Sequence, residues 1–479
     1  MKCALLLWML SVIRGGTERV GAELANALAE RGHELIIFTR DHGDRRPVYP
    51  LHPAIKLEFL GEKSLHHQPG MAEARRVLLA HRPQVVVGFE SSAHLVFAAA
   101  MTHGTGIPLI LSENSDATVI ENERWNRPDR WSVLAGADRI HLLTEGARQT
   151  LPHFLRSKAI VIPNSTPLPA YEGPENRQET GPFTICSVGR LADSIKQQSI
   201  LIRAFALLRD TFPQWRLCFY GKDAYGEQAG LESLARQLGL AERVFFCGEL
   251  QDVHMAYAQA HIFCLPSRYE GFPMVGVEAL RHSLPVVAFA GCAAARSLVE
   301  CSCGALAEDM TPQCLAATLS PFMANAALRR SMGKAALKKS WQYSPERVLP
   351  QWEKLLHQTA ATVQPKAPAR VPPLTAYGRW NTVFTVYTRL VQKSGLFDSE
   401  WYRKTYVHGP EYMPPLEHFL RFGADKGYCP NPAFDTAWYR KTYMRQCPPT
   451  LNPLLHYLMW GRRAALTTTP PQHELQRGA

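Results

Sequence analysis

The strongest constraint on this chain is a long alternation of short apolar runs with amphipathic ones. Leu5–Ile13 reads as a strand, Glu18–Arg31 as a helix and Leu35–Thr39 as a second strand. The helix carries Val20, Leu24, Ala27 and Leu28 on one face, and Gly32 stops it. The series continues through a helix over 72–80, a strand over 85–87, a helix over 94–101 and strands over 109–111, 139–143 and 159–162. The strands are apolar at consecutive positions rather than alternate ones. Both of their faces are therefore covered, and the intervening helices are the cover. This pattern predicts a parallel, doubly wound sheet.

Residues 164–182 break the pattern with Pro163, Pro167 and Pro169 among polar residues, as an inter-domain linker does. A second series then starts at Phe183–Val188. It runs through strands 217–220, 244–246, 262–266 and 286–289, with helices over 231–238, 254–260 and 275–281. The expected fold class is α/β: two doubly wound, Rossmann-like domains, 1–165 and 166–360, facing a cleft where two substrates meet. Residues 361–374 are Pro-rich and read as a semi-stiff spacer. Residues 375–479 hold an internal repeat. Phe397-Asp398 recurs at Phe434-Asp435, Trp401–Tyr406 at Trp438–Tyr443, Pro415–Leu420 at Pro453–Leu458, and Phe422-Gly423 at Trp460-Gly461. Each unit reads as two short helices burying aromatics against a neighbour, so a small, mainly helical module is expected.

Charge separates the tail from the rest. Residues 1–165 hold 19 Lys/Arg and 17 Asp/Glu, residues 166–360 hold 19 and 18, and residues 361–479 hold 15 and 7. The tail's charge suggests an anionic membrane surface or an acidic polymer as partner, beside the plainer reading that the module packs onto the lobes. Nucleic acid is not expected, because no recognisable binding module is present. The apolar run 4–13 leads into Arg14-Gly15-Gly16 with no small-residue cleavage site, and so reads as a buried strand, not a signal peptide. No apolar run is long enough for a membrane span. The 11 cysteines are odd in number and scattered, as free buried thiols in a reduced, cytoplasmic compartment are.

Four features carry chemistry. Gly15-Gly16, between the first strand and helix, lets the backbone approach a ligand beside a helix N-terminus, although a plain tight turn has the same look. Gly189-Arg190-Leu191 follows a strand, with Lys196 six residues after the arginine. Two such cations can clamp a diphosphate, or be solvated surface charges. Glu270-Gly271-Phe272-Pro273 opens a helix that carries Glu278, and carboxylates so placed can accept hydrogen bonds from sugar hydroxyls. The helix start beside them suits a phosphate. Finally, the sequence contains no Asp-x-Asp and no metal-spaced His/Cys/Asp cluster. An enzyme that releases a diphosphate without a metal must neutralise it with protein cations and backbone dipoles, and Arg190 and Lys196 are the residue types for that.

Taken in order, Gly-Gly-Thr-Glu-Arg-Val, Ile-Pro-Asn, Ser-Val-Gly-Arg-Leu with Lys196, Ser-Arg-Tyr-Glu-Gly-Phe-Pro with Glu278, and Leu-Pro-Val-Val-Ala make residues 1–360 resemble the retaining glycosyltransferases of family 4, which have the GT-B fold. The resemblance implies a first lobe for the acceptor and a second for the donor. It implies that Glu278 binds the nucleotide ribose, that Glu270 holds hydroxyls of the transferred sugar, and that Arg190 and Lys196 grip the diphosphate while the Gly15-Gly16 loop closes over it. Gly189, Gly271, Phe272 and Pro273 complete the implied donor site. It further implies same-face attack with retention, no metal and no cofactor, the nucleotide sugar (UDP- or GDP-linked) being a substrate. The acceptor expected is lipid-linked or an oligosaccharide, in bacterial surface or exported polysaccharide assembly, with the enzyme at the inner face of the membrane. The chain departs from the family pattern in two places. Ser283 stands where Gly is common. The segment Ser112-Glu113-Asn114 stands where relatives often carry a His, which makes Glu113 a candidate on the acceptor side. The tail resembles aromatic repeats of bacterial polysaccharide glycosyltransferases. The alternatives are a glycan-binding or scaffolding protein without turnover, and a sugar-nucleotide epimerase on the same fold, for which no acid–base constellation is visible.

Overall fold

The computed structural model describes all residues except 9, 12–14, 42, 44–45, 61–67, 91–94, 103–104, 117–129, 131–132, 152, 167–180, 251, 300–301, 363–379, 407–414, 425, 446, 448–450 and 471–479. The first lobe holds a seven-stranded sheet: β1 (Lys2–Leu7), β2 (Glu34–Thr39), β3 (Lys56–Phe59), β4 (Val85–Glu90), β5 (Leu109–Glu113), β6 (Arg139–Leu142) and β7 (Ala159–Val161). The order is β3-β2-β1-β4-β5-β6-β7, with every pair parallel. The second lobe has six strands, β8 (Phe183–Val188), β9 (Trp215–Tyr220), β10 (Val244–Phe246), β11 (Ile262–Leu265), β12 (Val286–Phe289) and β13 (Gly304–Ala307), in the order β10-β9-β8-β11-β12-β13, again parallel. In both sheets the chain winds one way from a central strand and then the other. The carboxyl ends of the strands on either side of that reversal form the two walls of the cleft.

The helices that matter below are α1 (Gly16–Glu30), α2 (Leu95–Thr102), α3 (Met274–Arg281), α4 (Pro345–Thr362), α5 (Trp380–Ser394), α6 (Ser399–Tyr406) and α7 (Thr436–Tyr443). The expected doubly wound lobes are present, with differences of detail. β1 stops at Leu7 and not at Ile13. Leu10 stays buried, but the backbone of Leu10 and Ser11 donates to Asp41 Oδ2 at 2.6 and 3.1 Å, and Ser11 Oγ donates to Asp41 Oδ1 at 2.6 Å. A buried carboxylate 30 residues away thus turns an apolar run out of the strand. β3 and β13 are not foreseen because they carry weak signals, Lys-Leu-Glu-Phe at a half-exposed edge and Gly-Ala-Leu-Ala.

The lobe boundary at 360 also needs correction. Helix α4 leaves the second lobe and packs on the first. Val348, Trp352, Leu355 and Leu356 join the core formed by Leu5, Val20, Leu24 and Phe89. Trp352 lies 4.3 Å from the ring of His141, and Arg31 is paired with Glu353 at 2.9 Å. The amphipathic pattern of the helix shows that one face is buried, but not against which lobe.

Ser283 explains why glycine is common at its position. Its φ is +55°, in the left-handed region, where it ends α3 while the Leu284 N–H reaches back to Ala279 O at 3.1 Å.

The tail is packed on the first lobe. Val391, Tyr402, Phe419, Phe434, Tyr439 and Leu454 share one apolar core with Ala98, Met101, Leu134 and Leu155. The two repeat units fold alike. In each, an Asp caps the first helix: Asp398 Oδ1 accepts from the Trp401 N–H and Asp435 Oδ1 from the Trp438 N–H, both at 2.9 Å. In each, a buried tyrosine hydroxyl reaches a histidine, Tyr402 to His418 at 2.9 Å and Tyr439 to His456 at 3.0 Å. That hydroxyl lies over the repeated glycine. A Cβ at Gly423 would come within 2.0 Å of Tyr402 Oη, and one at Gly461 within 2.2 Å of Tyr439 Oη. The glycine that recurs in the repeat is therefore set by the tyrosine opposite. The spacer at 361–374 lies outside the described residues from 363 onward. Among the described residues, no helix is long and apolar enough to cross a membrane.

Candidate active site

The loop after β11 brings Glu270 to Lys196. Lys196 ends a one-turn helix, Asp193–Lys196, and Gln197 leaves it with φ +49°. The turn is locked by Asp193, whose carboxylate accepts from the Ser199 N–H at 2.7 Å and from Ser199 Oγ at 2.6 Å. The Arg268 N–H donates to Ile195 O at 2.8 Å, which ties the two loops together. Lys196 Nζ then donates to Glu270 Oε1 at 2.5 Å, and Ser267 Oγ donates to the same oxygen at 2.7 Å. Glu270 and Lys196 are 13% and 21% exposed, so they face an opening rather than a sealed core. The Lys196 stem passes Gly189, at the carboxyl end of β8, and Arg190 beside it is exposed. A small cavity between Ser187, Gly189, Lys196, Gln198 and Ser267 continues the opening into the lobe.

Glu278 sits deeper, on α3, and is 3% exposed. Its Oε2 accepts from Tyr257 Oη at 2.8 Å, and its Oε1 accepts from Arg19 Nη1 at 2.8 Å. Its backbone carbonyl accepts from His282 Nδ1 at 2.8 Å, and His282 Nε2 lies 3.3 Å from His254 Nδ1. Burial and the adjacent Glu278 carboxylate hold the Tyr257 phenol well above its usual pKa. Arg19 belongs to α1 of the other lobe and also holds Glu23 at 2.8 Å. Burial alone would lower its pKa, but the two carboxylates reverse this, and Arg19 stays charged. Arg19, Tyr257, His254 and His282 were not singled out from the sequence. The one available signal is that Arg19 lies within the Gly-Gly-Thr-Glu-Arg-Val motif.

The remaining candidates lie around these two carboxylates. Pro273 is buried and precedes α3, which begins without a side-chain cap. Phe272 packs edge-on to Tyr343 at 5.6 Å. Gly15 precedes α1 with its carbonyl 3.3 Å from Tyr49 Oη, and a Cβ at Gly16 would meet nothing within 4 Å, so the space beside this helix start is open. Gly271 lies against the opposite lobe, where its missing Cβ would come within 2.4 Å of Asn114 O. The Glu-Gly-Phe-Pro turn and the end of β5 thus form a direct contact between lobes.

Glu113 has a different place from the one expected. Its carboxylate is buried and gripped by both ends of the Arg130 guanidinium, with Arg130 Nε at 2.7 Å from Oε1 and Nη2 on Oε2. The reading of Glu113 as an acceptor contact therefore gives way to a structural one: the pair anchors the end of β5 that meets Gly271. Arg130 lies 17 residues away, beyond the reach of a local pattern. His141 is likewise internal, with Nδ1 2.7 Å from Ser112 Oγ and Nε2 2.8 Å from Ile162 O. His94 and His103 lie outside the described residues.

Two lobes with facing carboxyl-end rims, a carboxylate–ammonium pair that joins two loops of the second lobe and a buried carboxylate at the seam suit a group-transfer enzyme that holds its substrates between domains. The model for Glycosyltransferase Family 4 matches residues 14–168, and the model for Glycosyl transferases group 1 matches residues 172–339, one on each lobe. The chain belongs to the GT-B glycosyltransferases, with a family 4 first lobe and a group 1 second lobe. An uncharacterized glycosyltransferase of Haemophilus influenzae is 28% identical over 292 residues, covering 60% of this chain and 80% of that one. The amylovoran biosynthesis glycosyltransferase AmsD of Erwinia amylovora is 23% identical over 349 residues, covering 72% and 96%. Among solved structures, Anabaena Alr3699/HepE in complex with UDP superposes with a TM-score of 0.61 at 20% identity, covering 75% of this chain and 100% of that one.

Proposed function

We propose that this enzyme transfers a sugar from a UDP- or GDP-linked donor to a lipid-linked or oligosaccharide acceptor, with retention of configuration and without a metal, in bacterial surface or exported polysaccharide synthesis. The observation that carries the reading is the pairing of Glu270 with Lys196 beside an exposed Arg190, with Glu278 buried at the seam of the lobes. Glu278, held by Tyr257 and Arg19, keeps lone pairs for the ribose hydroxyls. Lys196 and Arg190 neutralise the diphosphate as it leaves, aided by the uncapped start of α3. Glu270 orients the sugar through its hydroxyls. The acceptor hydroxyl attacks from the face the diphosphate vacates, and a leaving phosphate oxygen takes its proton. The polysaccharide context is supported by the relative named for amylovoran biosynthesis, and UDP, as one of the two candidate nucleotides, by the complex of HepE with UDP.

Calorimetric titration with UDP, GDP and ADP in excess EDTA tests the reading. One nucleotide is expected to bind, and Glu278→Gln should weaken it by about tenfold or more, the worth of hydrogen bonds to a charged group. Equal binding by Glu278→Gln, or binding that depends strictly on added divalent metal, would overturn it.

A further inference from the structure

A second polar pocket lies far from the cleft. The strands of the first sheet are parallel, and Glu113 marks their carboxyl ends at the cleft. Asp138 immediately precedes β6 and Lys158 immediately precedes β7, so both mark the opposite, amino-terminal rim. There the lobe meets α5 of the tail. Asp138 and Lys158 on one side, and Arg389 and Lys393 on the other, line a pocket of about 120 Å³.

The charges in this pocket are unequal. Lys158, Arg389 and Lys393 line it with one carboxylate, Asp138, and Arg139 adds a further positive charge beside it. Asp138 Oδ2 already accepts the Leu109 N–H at 2.9 Å. Lys158 Nζ is held at the rim by Ala135 O at 3.1 Å and Ala137 O at 2.8 Å. Burial, and then the neighbouring Lys393, Arg389 and Arg139, lower the Lys158 pKa against the pull of Asp138. Like charges gathered around a partly enclosed space repel one another, and an anion that enters it relieves the repulsion. Arg and Lys together offer the fork and point-charge donors that suit phosphate oxygens.

We propose that this pocket is a phosphate-binding site shared by the catalytic lobe and the repeat module, so that a bound phosphate group joins the tail to the lobe. It is separate from the donor and acceptor sites, because the length of a sheet strand lies between them. The phosphate comes either from a small soluble molecule or from a phospholipid headgroup.

The test uses the full chain and the double variant Arg389→Gln/Lys393→Gln, whose side chains are half-buried and exposed on α5. Binding of inorganic phosphate is measured by titration at constant ionic strength, and flotation is measured with phosphatidylcholine vesicles with and without phosphatidylglycerol. The double variant should lose about tenfold or more of the phosphate affinity of the native chain. Asp138→Asn, which removes only the acid, should gain affinity, so the proposal does not depend on one variant folding well. Flotation on phosphatidylglycerol vesicles that phosphate displaces and the double variant lacks assigns the headgroup. Phosphate binding with no flotation assigns a soluble phosphate. Equal phosphate affinity and equal flotation in the native chain and all variants would overturn the site.

Discussion

Gly271→Ala tests the contact between the lobes. A Cβ there would sit 2.4 Å from Asn114 O and 3.1 Å from both Asn114 C and Ser115 Cα. Real Cβ atoms stay at least 3.0 Å from such neighbours, so one lobe must retreat by about 0.6 Å or more. All three neighbours are backbone atoms. The strand end that bears them is pinned by the buried Glu113–Arg130 pair, so it cannot fold aside as a flexible side chain would. Overpacking of this kind costs about 1–3 kcal/mol. The cost falls on lobe closure rather than on either lobe's own fold, so the melting temperature should change little. Because Glu270 precedes Gly271 directly and holds Lys196, closure and transfer are expected to suffer together. On this basis kcat/KM for sugar transfer should fall about five- to 150-fold. The assay is steady-state transfer with the donor that the nucleotide titration identifies, paired with small-angle scattering to follow the opening. An unchanged kcat/KM at unchanged lobe separation would refute the claim that this glycine permits the working contact.

Three further outcomes follow from the packing. Gly423→Ala should destabilise the tail by about 1–3 kcal/mol, and adding Tyr402→Phe should recover part of the loss, because the hydroxyl is the clashing atom and the next ring atom lies 3.2 Å away; urea unfolding of the single and double variants decides it. Arg130→Met should cost about 3–5 kcal/mol by removing the guanidinium that grips the buried Glu113 carboxylate, and Arg130→Met/Glu113→Leu should regain most of that; equal stability of both variants in urea would contradict the anchoring role. His141 and His456 are buried and have pKa values pushed down to about 4, against about 6.5 in the unfolded chain. The unfolded state therefore binds more protons between these values, so their contribution is complete above about pH 6.5 and is lost as pH falls toward 4. Urea midpoints across that window should decline with acid, His456→Gln should flatten the decline, and a flat native profile would refute it.

Much of the architecture is written in short-range pattern. Consecutive apolar residues announce strands buried on both faces, and helical periodicity announces their cover, so two doubly wound lobes follow from the chain alone. The tail repeat is legible for the same reason: Asp cap, buried tyrosine and glycine recur at fixed offsets because each unit solves the same packing problem. The order of the motifs also placed Arg190, Lys196, Glu270 and Glu278 as one set. Only the tertiary structure decided what those side chains touch. Arg19 and Glu278 are 259 positions apart, and no periodicity links them. Glu113 looked available for an acceptor until the fold placed Arg130 against it. Helix α4 crosses to the first lobe because an amphipathic face must be buried, and sequence is silent about which surface buries it. Local chemistry sets the elements and their order, whereas partner choice across lobes depends on geometry that exists only once both sheets have formed.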